Sequence, residues 1–183
     1  MSRWERREDY KKDYQKDENG RYRYVGQWYA LENHAERGKK LKWGYRLQQL
    51  LTLVLILAMG LTPAGPMVVA GIEGFNYVML LYGLAFLAGI AAIHYTHKIS
   101  GAGFCLPMHD SRYVDWHGIC SMVCAIAGLA LTVGQLIYLI GAAERKSWDV
   151  LLALQALLLA GVNGAAWFAQ RKLQWEVLEN GEK

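Results

Sequence analysis

The chain has 183 residues, with 20 Lys and Arg against 16 Asp and Glu, and 54% of its residues are hydrophobic. Averaged, these numbers describe an ordinary soluble domain, but residues 1–46 hold 21 of the 36 charges, and most of the remainder falls into four uncharged blocks at 47–72, 74–97, 116–143 and 150–170. Each block reaches the length of about 20 residues that a bilayer crossing requires, a layout that excludes a soluble globular fold, a disordered tail protein and a disulfide scaffold.

The charged segment comes first. Ser2 followed by Glu5 matches a capping box and Asn19-Gly20 a stop, which predicts a helix over 3–18. The next stretch, RYRYVGQWY, sets Tyr22, Tyr24, Gly26 and Trp28 against Arg21, Arg23, Val25, Gln27 and Tyr29. This period of two predicts a strand or extended strip. Arg37, Lys39, Lys40, Lys42 and Arg46 then form a basic cluster that reads as a topology signal and as a contact surface for anionic lipid or a protein partner. Each such cation is worth about 1 kcal/mol against an anionic leaflet. Forty-six residues are too few for a core of their own.

The first span is predicted over 45–62 and stops at Pro63-Ala64-Gly65-Pro66. Its centre, LLTLVLILAMGL, is apolar all round, whereas a helix in a soluble bundle shows water a polar face. A long charged region precedes it and no A-x-A site follows, so it is an anchor and not a cleaved signal. Residues 63–76, with Glu73, form the first external turn. Spans at 77–97, 116–141 and 150–170 follow, flanked by Tyr77, Tyr95, Tyr113, Trp116, Tyr138, Trp148 and Trp167, the aromatic residues that favour the headgroup layer. Small residues recur every fourth position at Ala85 and Gly89, at Cys120, Cys124, Gly128 and Thr132, and at Ala156, Ala160 and Gly164. Such ridges let helices pack closely and also suit a homodimer.

Orientation follows from the cations. Five lie just before the first span and none in the first turn, so the amino terminus is expected inside the cell. Four spans return the carboxyl terminus, with Arg171 and Lys172, to the same side. The loop 98–115 is cytoplasmic as well, and only Arg145 and Lys146 in the 142–149 turn oppose the rule.

Chemistry is sparse. His94 and His97 share a helix face, as do His117 and Cys120 on the next span, and these four are the candidate ligands for a metal ion or a haem. Their spacing matches no defined zinc or haem signature, and interfacial hydrogen-bonding roles suit them better. The three cysteines form no C-x-x-C pair and read as packing residues. The spans show no ionisable group at mid-depth. Their polar residues are neutral, with Gln135, Gln155 and Asn163 as interhelical hydrogen-bonding candidates and Gln135 expected to reach Gln155. No phosphate-binding loop, nucleophile elbow, zinc-protease helix or dinucleotide fingerprint is present, so no catalytic residue is assigned.

The sequence therefore predicts an all-α integral membrane protein of the cell membrane with both termini cytoplasmic. It divides into a charged, Tyr/Trp-rich segment at 1–46, a four-helix transmembrane bundle at 47–170 and a tail at 171–183. The expected function is that of a non-enzymatic anchor, scaffold or accessory subunit that needs no cofactor. Its partners are the bilayer, anionic lipid, and a membrane protein or a second copy, with no nucleic acid. The alternatives are a small oligomeric transporter or permeation subunit, and a metal or haem redox protein using the histidines.

Overall fold

The structure, a computed structural model of the chain, describes residues 13–18, 20–62, 77–141 and 147–178. Four long helices dominate it: α1 (His34–Leu61), α2 (Tyr77–Gly101), α3 (Arg112–Gly141) and α4 (Ser147–Arg171). Each contains a stretch long and apolar enough to cross a membrane. Contacts between α1 and α2 run antiparallel: Gln49 Nε2 donates to the Ile93 carbonyl at 3.1 Å, and the Tyr82 hydroxyl to that of Ile56. Helix α4 closes the bundle back onto α1, where Thr52 meets Asn163 and Thr62 meets Gln155.

The helices extend beyond the apolar spans that mark them. Helix α1 begins at His34 and not near residue 45, so Arg37, Lys39, Lys40, Lys42 and Arg46 all ride on the helix itself. Lys, Arg and Leu are good helix formers, and backbone hydrogen bonding does not stop where hydropathy falls. Helix α2 likewise runs on to Gly101, and α3 starts at Arg112. The turns expected at 63–76 and around 142–146, with Glu73, Arg145 and Lys146, lie outside the described residues.

Two expectations are corrected at the end of the bundle where α1 begins. Of the helix predicted over 3–18, residues 3–12 lie outside the described residues, and Tyr14–Lys16 is a strand, β1. It pairs antiparallel with β2 (Tyr22–Tyr24), with Tyr14 opposite Tyr24. The turn between them has Gly20 at φ +77° and the Asp17 carboxylate accepting the Arg21 amide at 2.8 Å, local bonding that competes with a helix. The RYRYVGQWY strip is two strands, β2 and β3 (Trp28–Leu31), broken at Gly26. A Cβ there would stand 2.5 Å from the Tyr24 hydroxyl.

Strand β3 is the centre of a second sheet. It pairs antiparallel with β4 (Cys105–Pro107), Tyr29 opposite Leu106, and with β5 (Trp175–Leu178), Tyr29 opposite Val177. The fold is thus mostly helical with two small sheets, and not all-α. The amino-terminal segment, the 98–115 loop and the tail are tied together at one end of the bundle, forming a cap. Helix α2 feeds it through a Schellman turn: the Gly103 amide donates to Ser100 and the Phe104 amide to Ile99, with Gly103 at φ +68°. Phe104 and Ile99 are fully buried beside Leu31, Tyr45, Leu106 and Val114, so no one segment owns the cap core. Gly38 completes it, because a Cβ on α1 at that point would lie 3.2 Å from the Phe104 ring.

The bundle core is apolar in its middle, with Ile56, Met59, Ala85, Cys124, Leu131, Leu152 and Leu159 in one cluster. The ridge on α3 meets the ridge on α4 there. A Cβ on Gly128 would lie 2.9 Å from the Ala156 carbonyl oxygen, so the two backbones touch.

The buried polar seam as candidate functional site

The fully or nearly buried positions along the interior face of α3 include His117, Ser121, Cys124, Gly128, Leu131 and Gln135, spaced four, three, four, three, four. That spacing keeps a single face of the helix against its neighbour. The partner face of α4 carries Asp149, Leu152, Ala156, Leu159, Asn163 and Gln170. The seam is apolar in its middle and polar at both ends.

At the cap end the polar groups are connected. His117 is fully buried, its Nδ1 against Gln170 Oε1 and its Nε2 3.2 Å from Gln48 Oε1. The Gln170 amide nitrogen donates to the Val114 carbonyl, which turns Oε1 toward the ring and makes Nδ1 the donor. Gln48 is the hub, its Nε2 3.3 Å from Ser121 Oγ and 3.5 Å from Asn163 Oδ1. A half-turn of the Gln48 amide presents its nitrogen to His117 Nε2 and completes the contact between them. Asn163 Nδ2 donates to the Thr52 hydroxyl at 3.2 Å and to the Leu159 carbonyl at 3.1 Å. Tyr45 stacks on the imidazole with centroids 5.3 Å apart. Three helices, α1, α3 and α4, are thus cross-linked by amide, imidazole and hydroxyl groups alone.

At the far end the seam is unpaired. Gln135 and Asp149 are both fully buried, and neither the amide nor the carboxylate atoms have a hydrogen-bond partner among the described residues. Leu131 and Leu152 share the apolar cluster. Gln135 lies one turn beyond the first and Asp149 almost one turn before the second, so both occupy one level.

In the cap, Tyr14, Tyr24, Trp28 and His109 form a ring cluster, with Tyr24 edge-on to Trp28 at 5.1 Å. Tyr29 stacks on Trp175 at 5.3 Å, and burial, then the Asp115 carboxylate, pushes its phenol above the ordinary value.

The structure does not assemble the candidate metal or haem ligands. His94 and His97 are exposed on α2, His94 edge-on to Tyr95, whereas His117 points into the core and Cys120 is half-buried. Among the described residues no three His, Cys, Asp or Glu side chains converge to hold a metal ion. The expected Gln135–Gln155 bond is corrected too, since Gln155 Oε1 accepts from the Thr62 hydroxyl at 2.9 Å. Asn163 sits within the cap-end network. Of the basic cluster, Arg37 pairs with Glu32 at 3.3 Å. Lys39, Lys40 and Arg46 are exposed, and Lys42 is half-buried.

Sequence reasoning missed Gln48, Gln170 and Asp149. A signal for the first was available: Gln48 and Thr52 on α1, and His117 and Ser121 on α3, are polar pairs four apart in otherwise apolar helices, the spacing of a shared face. Asp149 gave none, because a carboxylate in a short charged turn reads as solvated. Compared with protein-family models, with curated proteins and with solved structures, the chain matches none.

Proposed function

We propose that this chain is a multi-pass protein of the cell membrane, with both termini in the cytoplasm, that acts as a non-enzymatic anchor, scaffold or accessory subunit. The observation that carries the reading is an inverted distribution of side chains. Leu50, Leu57, Leu87, Ile126, Ile137 and Leu158 are exposed on the flanks of the helices, while Gln48, Thr52, Ser121, Gln135 and Asn163 are buried within. Water rejects that arrangement and hydrocarbon favours it. The cations of α1 together with Lys98, Arg112, Arg171 and Lys172 flank the cap end, which supports a cytoplasmic cap by the rule that inner loops retain positive charge.

The cap supplies the contact surface. Its hairpin exposes Tyr22, and β5 is an outer strand of the three-stranded sheet, the place where a strand or a partner loop docks.

Two measurements test the reading. After an alkaline carbonate wash the protein stays in the membrane pellet, and release into the supernatant ends the membrane assignment. In a background lacking native cysteines, cysteines placed at Arg21 and Gln174 react with an impermeant maleimide only from the cytoplasmic side. Reaction at these two sites from opposite sides overturns the topology. For the scaffold role, a photocrosslinker at Tyr22 gives a discrete protein adduct in cells, and its absence there and at Arg23 and Val177 counts against a docking cap.

A second reading, a small transporter or permeation subunit, has in its favour the buried Gln135 and Asp149, which have no hydrogen-bond partner among the described residues, because buried polar groups in a membrane protein mark pathways. Flux through proteoliposomes that survives Gln135→Leu and Asp149→Leu unchanged rejects a path through them.

A further inference from the structure

The capward halves of α1 and α4 do not close on one another. A groove of about 300 Å³ separates them, walled by Gly44, Leu47 and Leu51 on one side and by Ala165, Ala166 and Ala169 on the other. The four-residue rhythm of small side chains leaves the space: where α1 and α4 do meet, at Thr52 and Asn163, larger polar groups bridge them. The groove has the volume of a small ligand site and is too slight for a helix, whose diameter with side chains is about 10–12 Å.

Chemistry changes along its length. The deep end, at Leu51 and Val162, is wholly apolar. Tyr45 and Gln48 line it nearer the cap, with the Tyr45 ring packed inward on Phe104 and His117. One turn capward of Gly44 stands Lys40, and Lys172 follows Ala169 by three residues, just past the end of α4. Both ammonium groups are without an acidic partner among the described residues, and Lys172 rests over the Phe168 ring at 4.4 Å. Along the groove toward the cap the order is hydrocarbon, then exposed cations.

We infer that this groove holds one acyl chain of an anionic membrane phospholipid, with the phosphate at the cap end, between Lys40 and Lys172. A second protein copy lacks the means to fill so narrow a slot, and a zwitterionic lipid gains less from two unpaired cations. The inference rests on the membrane reading and goes beyond it, from a general attraction of the basic cluster for the inner leaflet to an individual bound lipid with a named place.

The experiment is lipid retention by the full-length protein. Purified in mild detergent, it is exchanged into mixed micelles containing equal phosphatidylglycerol and phosphatidylcholine, and bound lipid is counted by native mass spectrometry. One phosphatidylglycerol per chain is expected, retained at least tenfold over phosphatidylcholine. Ala166→Leu with Ala169→Leu fills the groove and lowers retention of phosphatidylglycerol at least tenfold. Lys40→Gln with Lys172→Gln removes the preference between the two lipids while leaving the melting temperature unchanged. Equal retention of both lipids by the parent chain overturns the inference, as does full retention by the groove-filled variant. Should that variant fail to fold, the lysine pair decides alone, and unchanged selectivity overturns the proposal. A protein that survives the carbonate wash yet keeps no selective lipid loses only this inference, whereas one released by the wash loses the membrane reading itself.

Discussion

The two ends of the α3–α4 seam are equally buried and differently finished. At the cap end His117, Gln48, Gln170, Ser121, Asn163 and Thr52 join in one continuous network across three helices. At the far end Gln135 and Asp149 are just as deep and touch no partner among the described residues. Burial alone therefore does not tell what a polar group is for. A connected network specifies how helices meet, because its members would lose their partners in any other register. An unsatisfied pair destabilises the bundle unless a ligand, water or conformational change completes it, and natural sequences keep such pairs where something does.

The largest effect separating the two ends is expected at His117. His117→Leu removes the ring that Gln48 and Gln170 both address, leaving two buried amides short of a partner. Each such loss costs about 1–3 kcal/mol, and relaxation of the amides toward other partners brings the total to about 2–3 kcal/mol. Reversible unfolding in detergent measures it. A change below about 0.5 kcal/mol shows that the network is not holding the cap end together, and the contrast between the ends collapses.

The middle of the seam gives the next effect. Gly128→Ala places a methyl group 2.9 Å from the Ala156 carbonyl oxygen and 3.1 Å from the Ala160 nitrogen, so the helices must part. Overpacking of this kind costs about 1–3 kcal/mol. Gly161 on α4 is the control: a Cβ there meets nothing within 4 Å, and Gly161→Ala stabilises by about 0.5–1 kcal/mol through helix propensity. Opposite signs at the two glycines locate the close contact. Equal signs mean that the α3 and α4 ridges do not meet at Gly128.

How much of this was legible in the sequence depends on the range of the signal. The four helices were legible because uncharged runs such as Leu50–Leu61 are local and long. Their true starts were not, since Lys39 and Lys40 join α1 by propensity while hydropathy assigns them to water. The cap was invisible for a different reason. Strand β3 pairs with residues 105–107 and 175–178, and three or four residues of strand carry too little periodicity to announce a partner so far along the chain. The same limit hid the site. Asn163 could be named because it is an amide in an apolar run, but its link to Thr52 and Gln48 required the bundle to bring α4 onto α1.

The smallest expected effect has the sign that decides what the far end is. Gln135→Leu replaces the amide with a side chain of similar size, one helical turn beyond Leu131 of the apolar cluster, and gives up no hydrogen bond among the described residues. If the far end is only structure, the variant gains about 1 kcal/mol or stays level, because removing a buried group that nothing satisfies relieves its desolvation. Asp149→Leu differs by a term of the opposite direction. Asp149 stands in the first turn of α4, where a carboxylate near the helix amino terminus contributes about 0.3–1 kcal/mol. Asp149→Asn keeps the shape and removes the charge, so the change from the parent chain to Asp149→Asn isolates that term. A loss of more than about 1 kcal/mol in Gln135→Leu, measured in the same unfolding experiment, shows that the amide is satisfied in the working protein by a group it meets there. The far end would then be as complete as the cap end, and the asymmetry between them would vanish.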